Sequence, residues 1–118
     1  MLSTNQKTIN KSIKLSGIGL HNGINAELVI KPANENSGIN FCRVDINKNN
    51  LIQANFKNVV EPILCTKITN ENGVTVSTVE HLMAAFFGEG IDNALVEINA
   101  SEIPILDGSA SEFVEAIR

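Results

Sequence analysis

The stretch VSTVEHLMAAFFGEGIDNA, Val76 to Ala94, decides the fold, because the spacing of apolar residues changes inside it. Before Ser77, apolar residues alternate or come in short Ile, Val and Leu runs broken by Gly, Asn and Pro, which is the pattern of strands and turns. From Ser77 to Phe87 the apolar run has helical length, and Gly88 and Gly90 supply its stop. Two side chains with acid–base chemistry, Glu80 and His81, stand at the head of that helix. With Leu82, Met83, Ala84, Ala85, Phe86 and Phe87 following, the helix is expected to be deeply buried, and polar groups are costly there without partners.

Working outward, TINKSIKLSG places Ile9, Ile13 and Leu15 in an extended segment, and NAELVIKP forms a strand that stops at Pro32. Asn22-Gly23, in GIGLHNG between them, marks a hairpin turn. INFCRVD, LIQANF and PILCTKITNENGVTVS add short strands, the last folding back at Asn72-Gly73. NALVEINA is one more strand, and a second helix begins near Ser109 and is still running at Arg118 without a stop signal, so the chain reads as cut there. No internal repeat or linker is visible. The expected architecture is one α+β domain spanning residues 1–118, with helices packed on one face of a sheet.

Composition narrows the function classes. The 118 residues are 43% hydrophobic and 19% charged, which suits a globular core. Nine Lys and Arg against 13 Asp and Glu give a net charge of −4, the basic residues are scattered, and there is no Trp or Tyr to stack on bases. Nucleic-acid binding is therefore disfavoured. The N-terminal MLSTNQKTINK has no signal-peptide pattern, and no apolar run approaches the roughly 18 residues of a membrane span, so no transmembrane segment is expected and the chain reads as cytoplasmic. Cys42 and Cys65 form no CxxC pair, in keeping with a reducing compartment. The sequons at Asn10 and Asn99 then carry no meaning, and the Asn-rich NKNN at Asn47 to Asn50 is assigned no function.

Each candidate residue has a plain structural reading beside the chemical one. Ser77 and Glu80 have the spacing of a capping box, with the Ser side chain bonding a helical amide and the Glu reaching back. His81 reads either as a satisfied first-turn histidine or as a ligand; positions 84 and 85 are both Ala, which excludes a two-histidine zincin helix. His21, the only other histidine, lies in a turn where it is either solvated or functional. Catalytic zinc takes three protein ligands and a water, and this sequence offers no convincing set. Asp107-Gly108 reads as a turn, with Ser109 and Glu112 as a second capping box. Cys65 alternates like a buried strand residue.

In order along the chain, SGIGLHNG, ILCT and VSTVEHLMAAFFGEGIDNALVEINASEIPILDGSA resemble the UDP-3-O-acyl-N-acetylglucosamine deacetylase family, over essentially all 118 residues. Leu106 stands where Met is common, a conservative departure. The family is a zinc hydrolase that commits Gram-negative bacteria to lipid A synthesis by removing the N-acetyl group of its nucleotide-sugar substrate. The resemblance implies the first of two similar α+β domains packed as a sandwich, related to a ribosomal-protein fold, with the active site between them and the C-terminal domain absent here. It further implies that Glu80 is the general base and His81 a zinc ligand, the remaining His and Asp ligands and the general-acid His lying in the absent domain. His21, Leu64, Cys65 and Thr66 match segments bordering the substrate site, and Asp107 matches a motif residue of structural or supporting role. A fragment of this kind is expected to be inactive alone and to expose an apolar interdomain face around the Ser77 helix and the LCT strand, open to self-association. Two other classes compete: a non-catalytic binding or regulatory module reusing the domain and, more remotely, an RNA-binding domain.

Overall fold

The computed structural model describes residues 6–54, 67–104 and 111–118. Their secondary structure begins with strands β1 (Ile13–Ile18), β2 (Asn25–Pro32), β3 (Ile39–Arg43), β4 (Leu51–Gln53), β5 (Lys67–Thr69) and β6 (Thr75–Ser77). Helix α1 (Glu80–Gly88), strand β7 (Ala94–Ile98) and helix α2 (Ser111–Ile117) follow. The fold is α+β, as expected.

Five strands form one sheet in the order β1-β2-β7-β3-β4, antiparallel except where β3 and β7 run parallel. Alternation aims one set of side chains at the core: Ala26, Leu28 and Ile30 of β2 are buried while Glu27 is exposed and Val29 and Lys31 only half-buried. The register then stacks Leu28 against Ile98, Ile30 against Val96, and Phe41 between Val96 and Ile52. Leu82, Ala85 and Phe86 of α1 and Phe113 of α2 join the same apolar cluster, so both helices cover that one face. Across the other face Lys31 Nζ and Glu97 Oε1 pair at 3.1 Å.

The two turns read from Asn-Gly are present. Gly23 and Gly73 have φ of 65° and 80°, a backbone conformation that favours glycine. Asn22 Oδ1 accepts from the Ile24 amide at 2.9 Å, and Asn70 Oδ1 accepts from the amides of Asn72 and Val74.

Two expectations about α1 need correction. The helix starts at Glu80, its cap is Val79 with no side-chain hydrogen bond, and Ser77 belongs to β6. Ser77 is kept extended by a neighbour distant in sequence: its amide donates to the Ser101 carbonyl at 2.8 Å and its carbonyl accepts from the Ile103 amide at 3.0 Å. The Ser77–Glu80 capping box therefore does not form. Nor is the helix buried all round. Leu82, Ala85 and Phe86 are buried, but Ala84 is exposed, Phe87 is 91% exposed, and Glu80 and His81 are half-buried, because the sheet covers only one side of this nine-residue helix. The proposed second capping box involves Ser109, which lies outside the described residues.

Candidate active site

Glu80 and His81 are the first two residues of α1, and a carboxylate in the first turn is favoured by the positive end of the helix dipole. What fixes this end of the helix is the segment Ser101–Pro104. It bridges to Ser77 on one side and, through Pro104, to Gly19 of the β1–β2 turn on the other. Between them lies Glu102, 2% exposed.

The Glu102 carboxylate gathers donors from both neighbours. Its Oε1 accepts from the amides of His21 and Asn22, each at 3.0 Å. Its Oε2 accepts from Thr78 Oγ1 at 2.6 Å and lies 2.7 Å from His21 Nδ1. Burial pushes this carboxyl up, but hydrogen bonds from the Thr78 hydroxyl, the Asn22 amide and the ring and amide of His21 outweigh it, holding the group below the usual carboxylate value. Thr78 is itself unusual, a buried β-branched residue with φ of 60° just before the helix cap. Its bond to Glu102 supports that conformation. His21 is thus anchored through Nδ1 while 51% of its side chain remains exposed, and Nδ1 stands 3.5 Å from Thr78 Oγ1.

Residues 6–118 match the family model described as UDP-3-O-acyl N-acetylglycosamine deacetylase. The chain belongs to this deacetylase family. It is 50% identical over 109 residues to the UDP-3-O-acyl-N-acetylglucosamine deacetylase of Pasteurella multocida (strain Pm70), and 50% and 48% identical to proteins of the same name in Histophilus somni (strain 129Pt) and Haemophilus influenzae (strain PittEE). Each match covers 92% of this chain and 36% of the relative, so the chain spans about a third of the length of these deacetylases.

Within this deacetylase-family chain, the structure brings the His21 turn to the residue two before Glu80. Leu64, Cys65, Thr66 and Asp107 lie outside the described residues. Glu102 and Thr78 were not singled out from sequence. A charged residue set against Ile103 and Pro104 was the available signal, but its partner His21 is 81 residues away. Among the described residues no group of three or more His, Cys, Asp and Glu is placed to hold a metal ion. Those residues do not by themselves fit a catalytic zinc, for which His81 can offer one ligand of the three usually required.

The apolar face expected around the start of the Ser77 helix is not exposed there, because Val79 and Leu82 turn into the core, and the LCT residues lie outside the described ones. The large apolar side chains left exposed include Ile18, Leu20 and Ile24 around the β1–β2 turn and Phe87 at the far end of α1. Close packing under the same turn makes Gly19 sensitive. A Cβ there would press on Asn22 Oδ1 and come within 2.5 Å of Glu102 Oε1, both held by hydrogen bonds. Gly19→Ala is expected to destabilise the chain by about 1–3 kcal/mol in urea unfolding.

Proposed function

We propose that this chain is the N-terminal part of a zinc-dependent hydrolase that removes the N-acetyl group from UDP-3-O-acyl-N-acetylglucosamine, and that it works in the cytoplasm with a second domain completing the site. The observation that carries this reading is the Glu80-His81 pair at the head of α1, in a chain 50% identical to relatives named for that deacetylation. Glu80 would take the proton of the water that attacks the acetyl carbonyl, as general base. His81 would be one zinc ligand, the others coming from the second domain. A bound zinc supplies Lewis acidity toward the amide oxygen and a more acidic water. The anchored His21 turn, with Leu64, Cys65 and Thr66, would border the substrate, and Asp107 would have a structural or supporting role. In the described residues no helix is long and apolar enough to cross a membrane.

Zinc titrated calorimetrically into the 118-residue chain is expected to bind weakly, with little difference in His81→Ala. Tight stoichiometric binding that His81→Ala abolishes would overturn the shared-site reading. The decisive construction is a chimera in which this chain replaces the 109 matched residues of the Pasteurella multocida relative. Acetate release from the nucleotide sugar supports the proposal. A folded, zinc-loaded but inactive chimera favours the non-catalytic module, the reading to which the lack of a three-ligand cluster among the described residues gives weight.

On the same reading the exposed Ile18, Leu20 and Ile24 around the His21 turn would belong to a face covered by the second domain. The isolated chain is then expected to self-associate as its concentration rises. Sedimentation as a monomer over a wide concentration range would count against this.

A further inference from the structure

The two oxygens of Glu102 have different duties. Oε1 receives the main-chain amides of His21 and Asn22, which fix the path of the turn, whereas Oε2 receives the two side chains, Thr78 Oγ1 at 2.6 Å and the His21 ring at 2.7 Å, and shares the His21 amide at 3.1 Å. An ionised carboxylate only accepts hydrogen bonds, so the proton shared between Oε2 and Nδ1 belongs to the imidazole. We infer that Glu102 is a positioning residue: it holds neutral His21 as the Nδ1–H tautomer, so that the half-exposed ring offers Nε2 as an acceptor to hydroxyl or N–H groups of a polar ligand such as a sugar. The ligand part of this inference rests on the deacetylase reading. The tautomer is measurable without it.

Glutamine at position 102 separates orientation from mere packing. It keeps the shape but has one acceptor oxygen and one NH2 donor. With its oxygen in the Oε1 place, both main-chain amides keep that acceptor and the His21 amide loses only its second, 3.1 Å share of Oε2, while the Thr78 hydroxyl can turn to accept and the NH2 group faces His21 Nδ1. That nitrogen must then become the acceptor, and the ring proton moves to Nε2.

The test is nitrogen-15 long-range correlation NMR of the 118-residue chain near pH 8, with His21 signals assigned by their loss in His21→Ala. Wild type is expected to show Nδ1–H as the major tautomer, and folded Glu102→Gln to show the majority reversed to Nε2–H. A wild-type ring mainly in the Nε2–H form overturns the inference, as does folded Glu102→Gln that keeps Nδ1–H. Should Glu102→Gln lose its amide dispersion, the wild-type tautomer still decides. Thr78→Val serves as a second variant, expected to retain Nδ1–H because the carboxylate remains; a switch there is contrary evidence. In an active chimera, Glu102→Gln is expected to raise KM for the nucleotide sugar several-fold more than it lowers kcat. A chimera with no wild-type activity bears on the deacetylase reading and leaves the NMR result standing.

Discussion

Glu80→Gln in the chimera with the Pasteurella multocida relative is expected to lower turnover by about 100- to 10,000-fold, the range over which a positioned acid or base contributes to a rate. The substitution preserves the size and hydrogen-bonding reach of the side chain but removes its capacity to take a proton. Because Glu80 is half-buried at a helix start and glutamine keeps its shape, the replacement is expected to leave the fold intact. Zinc content should also persist, since His81 is unchanged. Loss of rate with KM, zinc and unfolding midpoint near wild type is therefore the pattern that identifies a base. Wild-type turnover in a folded Glu80→Gln chimera would remove Glu80 from the chemistry.

Glu102→Leu is expected to destabilise the 118-residue chain by roughly 2–4 kcal/mol, as one or two buried donors lose their acceptor. Leucine fills much of the same space, so the loss reports the hydrogen bonds more than a cavity. The Thr78 hydroxyl is the donor least able to turn to water, and the left-handed Thr78 backbone loses its support with it. Acid sensitivity gives an independent check. The folded carboxyl of Glu102 lies below its ordinary value, so its contribution to stability is complete above that value and is lost as pH falls through the folded value. Urea midpoints measured downward from about pH 5 should therefore decline in wild type. That part of the decline should be missing in Glu102→Leu, and parallel curves for the two proteins would show that Glu102 carries none of it.

The contrast between Asn22-Gly23 and Glu102 shows what was legible in this sequence. A turn that needs positive φ is chosen by adjacent residues, and the alternation of Ala26, Leu28 and Ile30 likewise names the buried face of β2 from within one segment. The start of α1 was misread because Ser77 and Glu80 have capping-box spacing, while the partner that keeps Ser77 in a strand is residues 101–103. Phe87 was expected inside because its neighbours are apolar, although which side of a helix is covered depends on the sheet beneath it. At the candidate site, Glu80 and His81 stood out as polar residues opening an apolar run. The pairing of Glu102 with His21 joins segments far apart in sequence and became visible only in three dimensions.

Strand β7 lies between β2 and β3 although it follows both by some 50 residues or more, joining the β1–β2 hairpin to the β3–β4 pair. During synthesis those two hairpins therefore exist before the strand that unites them, and neither can complete its edge until Ala94–Ile98 has left the ribosome. Closing so long a stretch costs chain entropy before contacts reward it, which makes such an assembly slow. The nascent chain thus carries two unsealed, apolar-faced strand edges while the residues between β3 and β7 are being made, and that interval leaves it open to aggregation.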